Sequence, residues 1–303
     1  MGSPDSCLLT SFLGWHVALY VQAIVNGLLV GGVYSLMALG LSLIFGVMRV
    51  INFAHGDMMV WGMYLTYWLF VMAGMDPYLS ILVTGTTVFL LGAAVQKGLV
   101  NRILDAPHEM QILLMLGVAL VLENSALMVF GPDPRRVNTS YGLSTFWLGP
   151  IVFDLPRVAT FGIALALAVG LYLFLRKTEL GRMIRAASDN RIGALLVGAD
   201  ILKVFSLAFG IGAACVGAAG SLMTPFLPFA PSTGLFFTVT SFNIVIIGGM
   251  GSLLGAFVGG LLVGISESLG AVILVPSLKE LFSFILLIVI LLFRPRGLLG
   301  GGQ

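Results

Sequence analysis

The sequence predicts an all-α protein, a polytopic bundle of about eight to nine membrane-spanning helices that includes broken or short ones. Three observations predict this fold class. First, 59% of the 303 residues are hydrophobic and only 9% are charged, whereas about a quarter of the residues of soluble domains are charged. Second, the apolar residues form runs of about 20, the length at which a helix crosses a bilayer. Third, these runs leave no stretch for a sizeable soluble domain, so we expect one domain over residues 1–303.

The helices can be placed in order from the apolar runs. The first run, Val17–Met48, is too long for one crossing and too short for two, which predicts a helix ending near Gly40 and a half-length segment after it. The polar stretch 49–57 then breaks that segment. Further spans are predicted at about 58–74, 78–100, 110–130, 158–175, 204–224, 235–247, 253–270 and 281–293.

The positions of lysine and arginine predict the orientation, because cytoplasmic loops are enriched in them. If the loop 176–204 is cytoplasmic, ten basic residues lie inside and four outside. This arrangement places the N-terminus outside and the C-terminus in the cytoplasm. It requires that residues 41–74 form one interrupted crossing and residues 235–270 two short ones.

Several function classes are excluded by composition. The net charge of +2 comes from 15 basic and 13 acidic residues, too even a balance for a nucleic-acid partner. Cys7, Cys215 and the three histidines are scattered, so neither a metal site nor any other cofactor site is expected. No stretch matches the P-loop pattern G-x-x-x-x-G-K-[ST], and the dipeptide Gly-Lys is absent. We therefore expect no ATP hydrolysis by this chain and no other enzymatic activity.

Two interrupted stretches, 41–64 and the glycine-rich 242–264, occupy corresponding positions in the two halves of the chain. They predict a weak internal repeat. Broken membrane helices leave backbone polar groups that only a cavity or neighbouring protein can satisfy, and in transporters they surround the substrate pathway. We therefore predict pathway residues in the first break, namely Asn52, Phe53, His55, Gly56 and Asp57. The alternative is that these residues only satisfy the broken backbone, and that the second stretch only permits close helix packing.

Polar side chains inside the predicted spans are further candidates for the pathway. A carboxylate in the bilayer is costly and is by default a functional candidate. The candidates are Glu123, Asn124, Asn243 and Glu267. The alternative is hydrogen bonding between helices. If both glutamates lie on a pathway, proton-coupled transport is a rival interpretation.

Residues 40–57 read Gly-Leu-Ser-Leu-Ile-Phe-Gly-Val-Met-Arg-Val-Ile-Asn-Phe-Ala-His-Gly-Asp. With residues 181–187, 248–256 and 293–300, they resemble the H-type permease subunit of bacterial branched-chain amino acid ABC importers. The resemblance implies a subunit of the bacterial inner membrane that pairs with a second, related permease, two ATPase subunits and a periplasmic binding protein. Similar proteins also serve urea, short amides and other amino acids, so the substrate stays open.

The loop 176–204 predicts a short amphipathic helix, because Met183, Ile184, Ala187, Leu195 and Leu196 alternate with charged residues. It resembles the coupling loop through which ABC permeases receive an ATPase, with Gly198 as the turn glycine. The resemblance implies coupling roles for Arg182, Arg185, Asp189, Asn190, Leu195 and Gly198. The acidic position of the family's Glu-Ala-Ala motif has no clear match here. The alternative is a solvated basic loop.

Together these features predict one half of the translocation pathway of an ATP-driven importer for small amino acids or amides, surrounded by membrane lipid. An ATP-independent proton-coupled transporter, or a channel for a small neutral solute, is the alternative. Neither of these needs an amphipathic loop on which a partner can dock.

Overall fold

A computed structural model describes the backbone of residues 4–196 and 198–300 and the side chains from residue 17 onward within these ranges. It confirms the all-α prediction. Eight helical segments of the described residues are long and apolar enough to cross a membrane. In the same ranges the helices are α1 (Pro4–Met48), α2 (His55–Ala73), α3 (Pro77–Gly98), α4 (His108–Phe130), α5 (Leu155–Lys177), α6 (Glu179–Asp189), α7 (Arg191–Leu196), α8 (Ile201–Met223), α9 (Gly234–Gly248), α10 (Leu253–Ile273) and α11 (Lys279–Phe293).

Helix α1 is continuous through Gly40, so the predicted helix end at that residue is wrong. Gly40 packs against Gly212 of α8 so closely that a Cβ on either glycine would overlap the carbonyl oxygen of the other. The glycine therefore serves helix packing, as small residues do in membrane proteins. The helix ends instead at Met48, and the next residue, Arg49, turns the chain with a left-handed backbone (φ 56°).

Helices α2 and α9 both begin in the middle of the bundle. His55, the first residue of α2, contacts the carbonyl oxygen of Met37 at 3.0 Å, although α1 continues to Met48, about 16 Å further along its axis. Residues 49–54 therefore run back along α1. Helix α9 starts beside α2 and has 15 residues, about 22 Å, which is shorter than the hydrocarbon core of about 30 Å.

The helices form an internal repeat in which α1–α3 pack against α8–α10. Helices α1 and α10 run antiparallel, since Ser35 bonds to Phe257 and Gly27 packs against Gly264. Helices α3 and α8 also run antiparallel, with Gln96 bonded to Ser206 and Val88 packed on Gly217. Helices α2 and α9 lie between these pairs.

The position of the second break differs from the prediction. The glycine-rich residues 249–252 form the turn between α9 and α10, which corresponds to the turn between α2 and α3. The counterpart of residues 49–54 is the segment 224–233, which precedes α9 and contains Pro225, Pro228 and Pro231. Prolines interrupt the helix here, because each lacks a backbone N–H and clashes with the preceding turn.

The two ends of the bundle differ. At one end, here called the hairpin end, the antiparallel strands β1 (Thr145–Leu148) and β2 (Ile151–Asp154) form a hairpin that the sequence did not predict. Gln22 of α1 holds it through two hydrogen bonds with Val152, of 2.7 and 2.8 Å. At the other end, here called the α6 end, Ser188 donates to the carbonyl oxygen of Gly46 at 2.7 Å. This bond ties α6 to the last turn of α1.

Candidate functional site

The first break lies where the starts of α2 and α9 meet. Asn52 Oδ1 accepts from the backbone N–H of Ala54 at 3.1 Å, which shapes the turn before α2. The N–H of Gly56 donates to Thr238 Oγ1 at 2.9 Å, and that hydroxyl donates to the carbonyl oxygen of Phe53 at 3.1 Å. A side chain of α9 thus satisfies one of the free N–H groups that every helix N-terminus leaves.

His55 and Asp57 complete this junction. The carbonyl oxygen of Met37 can only accept, so His55 Nε2 carries the proton of the bond between them. Asp57 is 5% exposed and lies in the first turn of α2, against Gly234 at the start of α9. Helix N-termini carry a partial positive charge. One buried side chain therefore lies at the start of both helices.

The structure thus brings the predicted break residues together, but it places them in the protein interior. Asn52 and His55 are wholly buried. Two nitrogen atoms, Asn52 Nδ2 and His55 Nδ1, have no hydrogen-bond partner among the described residues. Phe53 differs, because it is only half-buried and its ring lies 5.3 Å from that of Phe242 on α9.

Three other predicted residues line two neighbouring cavities. The smaller, the α4 cavity, has a volume of about 260 Å³ and is lined by Glu123 and Asn124. The larger, the α9–α11 cavity, has a volume of about 380 Å³ and is lined by Asn243. Ser232, in the segment before α9, lines both cavities. Sequence reasoning missed Ser232, for which the proline-rich context is the only sequence signal.

Glu267 lies elsewhere. It is buried between α10 and α1, and its carboxylate accepts a hydrogen bond of 3.0 Å from the hydroxyl of Tyr34. This bond joins two helices that also pack through glycines. The arrangement corresponds to the interhelical hydrogen bonding that the sequence left open as the alternative role of Glu267.

Helix α6 lies flat against the α6 end of the bundle. Thr178 caps its N-terminus, and the Thr178 hydroxyl accepts from the N–H of Gly181 at 3.0 Å. Gly181, Ile184 and Ala187 form its buried face. Its charged face carries Arg182, which lies 3.7 Å from Glu179, and Arg185, which donates to the carbonyl oxygen of Arg176 at 3.4 Å.

Helix α7 is a separate element rather than a continuation of α6. The chain leaves α6 at Asp189, and Asn190 Oδ1 accepts from the N–H of Gly193 at 2.9 Å to start α7. Leu195 and Leu196 therefore do not extend the buried face of α6. They project outward with Ile192, which is 71% exposed, while Leu196 is 83% exposed. Gly198 ends this element with a left-handed backbone (φ 86°).

Interrupted helices that meet inside a polytopic bundle, with cavities beside them, are typical of membrane transporters. A family model described as "Branched-chain amino acid transport system / permease component" matches residues 23–291. The chain belongs to this family.

Relatives cover nearly the whole chain. It is 28% identical to the high-affinity branched-chain amino acid transport system permease protein BraD of Pseudomonas aeruginosa, over 93% of this chain and 96% of the relative. It is 31% identical to the probable branched-chain amino acid transport permease protein LivH of Methanocaldococcus jannaschii, over 97% and 95%. It is also 25% identical to the D-allose transport system permease protein AlsC of Escherichia coli, over 86% and 76%. No solved structure matches the chain significantly.

Proposed function

We propose that this chain is the permease subunit of an ATP-driven importer of branched-chain amino acids in a bacterial inner membrane. Its partners in this proposal are a second, related permease, two ATPase subunits and a periplasmic binding protein. The names of the relatives in Pseudomonas aeruginosa and Methanocaldococcus jannaschii support the substrate class.

The observation that carries the ATP-driven part of the proposal is the exposed apolar surface of α7. Ile192, Leu195 and Leu196 project away from the bundle at the α6 end, beside the charged face of α6. Exposed apolar groups with a polar rim are typical of protein interfaces. The sequence holds no P-loop, so the ATPase must be a separate chain that docks on this surface through Arg182, Arg185, Asp189, Asn190, Leu195 and Gly198.

The second permease covers the face that carries the α4 and α9–α11 cavities. Polar and ionisable groups inside a membrane face protein or water rather than lipid, and Asn243 and Glu123 line the cavities on this face. We assign Glu123, Asn124, Asn243 and Phe53 to the wall of the pathway. The buried residues Asn52, His55, Gly56 and Asp57 lie behind that wall, where Gly56 packs against α9 and His55 bonds to α1, and Glu267 holds α10 against α1.

Reconstitution tests this proposal. The chain, with its second permease, ATPases and binding protein in liposomes, is expected to take up leucine only when ATP is present on the ATPase side. The chain alone is expected to hydrolyse no ATP and to take up no leucine. Uptake by the chain alone without ATP would contradict the proposal and favour the channel or proton-coupled alternative.

The proposal also sets the orientation, with the α6 end in the cytoplasm. In a variant without Cys7 and Cys215, Ser140→Cys at the hairpin end should react with a membrane-impermeant maleimide added to intact cells. Ile192→Cys should react only after the inner membrane is opened. Both positions are exposed on the chain, and the reverse labelling pattern would place α7 out of reach of a cytoplasmic ATPase.

A further inference from the structure

The α9–α11 cavity combines an apolar wall with several polar groups. Leu235, Phe236 and Val239 of α9 and Phe284 of α11 supply the apolar surface. Thr240 and Asn243 of α9 and Glu280 and Ser283 of α11 supply the polar groups. A volume of about 380 Å³ lies in the range of small-molecule sites, which are mostly apolar with a few convergent polar groups.

The orientation of the Asn243 amide is determined by a chain of hydrogen bonds. Ser283 donates its single hydroxyl hydrogen to the carbonyl oxygen of Glu280 at 2.8 Å. The hydroxyl oxygen can then only accept, so it receives the hydrogen bond from Asn243 Nδ2, at 3.0 Å. Asn243 Oδ1 is left without a partner in the described chain, although the residue is 3% exposed. Buried acceptors without a donor are rare and need an explanation.

Two charges flank the same cavity. The carboxylate of Glu280 lines it and forms no ion pair or side-chain hydrogen bond with the described residues. The ammonium of Lys279 lies 5.8 Å from the centre of the Phe236 ring, which forms part of the cavity wall. A negative group, a positive group and an apolar wall are thus arranged around one volume. In that order, these three features are complementary to the ammonium, the carboxylate and the side chain of an apolar amino acid.

We infer that the α9–α11 cavity is a binding site for the zwitterion of an apolar amino acid. This inference rests on the proposed function and adds a substrate site on the chain itself, apart from any site in a binding protein. The ammonium of the amino acid binds Glu280, beside Asn243 in the cavity wall. Its carboxylate faces Lys279, and its side chain packs against Leu235 and Val239.

Protection of an introduced cysteine tests the site in the complete importer without ATP. Val239, 41% exposed on the cavity wall, is replaced by Cys in a variant lacking Cys7 and Cys215, and its reaction with a small hydrophilic thiol reagent is timed. Leucine is expected to slow the reaction. Isocaproate, which lacks the ammonium, and isoamylamine, which lacks the carboxylate, are not expected to slow it at the same concentration. Leu235→Cys provides a second reporter on the same wall.

Glu280→Gln is expected to raise the leucine concentration needed for half protection at least about tenfold, because it removes a charge-assisted hydrogen bond. The matched control is Glu109→Gln, since Glu109 also lies in the first turn of a membrane helix but far from the cavity. That control should leave protection unchanged. Each variant complex is first shown to be intact by size-exclusion chromatography.

Any one of three results would overturn the inference. These are that leucine protects the Glu280→Gln variant as well as it protects the wild type, that isoamylamine protects as well as leucine does, or that neither reporter cysteine reacts with the reagent. Leucine uptake by the wild-type complex is measured in parallel. A complex that binds leucine in this cavity but imports none would contradict the proposed function and leave the site in place. Normal uptake without protection would contradict the site alone.

Discussion

Gly56→Leu is expected to prevent folding and assembly, rather than to yield an assembled complex that fails to transport. A Cβ at this position would overlap the carbonyl oxygen of Gly234 and crowd the backbone of Thr238. Neither helix can retreat, because Thr238 bonds to both Gly56 and Phe53. Ordinary overpacking costs about 1–3 kcal/mol, but here the added Cβ meets backbone atoms, so the cost should approach the total stability of about 5–15 kcal/mol. The amount of folded protein should then fall at least about tenfold.

The measurement is the amount of monodisperse complex recovered from membranes, together with its melting temperature. Gly117→Leu is the control, since Gly117 lies in the middle of α4, where an added Cβ would meet no described atom within 4 Å, and leucine favours helix more than glycine does. It should be recovered at the wild-type level. If the Gly56→Leu complex instead assembles and melts normally but transports nothing, this prediction is wrong, and the residues of the first break line the pathway.

Hydropathy was sufficient to predict the membrane helices, because each must bury its own backbone polar groups in an apolar run. The predicted spans 78–100 and 110–130 agree with α3 and α4 to within a few residues. The end of α1 was not predictable in the same way. Gly40 looks like a break in the sequence, and only the approach of Gly212, which is far along the chain, shows that it is a packing contact.

The candidate site was predicted less completely than the fold. The polar stretch 49–57 was predicted as an interruption, and the chain is interrupted there, but only over residues 49–54, because α2 already begins at His55. Whether its residues face a cavity depends on Thr238 and Gly234, which come from the other half of the chain. The second interruption was missed because its prolines, rather than glycines, break the helix.

The structure of the coupling loop was also predicted only in part. Its apolar and charged residues alternate as in one amphipathic helix, but Asn190 starts a second helix through its bond to Gly193. The turn moves Leu195 and Leu196 from the buried face to the exposed one. Ile192 was not predicted to be part of this surface, although it is the first apolar residue after the turn.

The double substitution Ile192→Glu and Leu196→Glu is expected to detach the ATPase without unfolding the permease. Both side chains are exposed, at 71% and 83%, so the charges remain solvated in the free chain. In the complex the same carboxylates would be buried without partners, which is strongly unfavourable. We expect the co-purified ATPase, and ATP-driven leucine uptake with it, to fall at least about tenfold, since central apolar anchors dominate interface energy.

The control is Leu143→Glu, which introduces one such carboxylate at an apolar residue that is 88% exposed, but at the hairpin end. It should leave ATPase binding at the wild-type level, because the two ends of the bundle face opposite sides of the membrane. The melting temperature of each permease distinguishes lost docking from lost folding. If the α7 variant keeps its melting temperature and still binds the ATPase fully, α7 is not the docking surface, and the charged face of α6 alone must carry the contact.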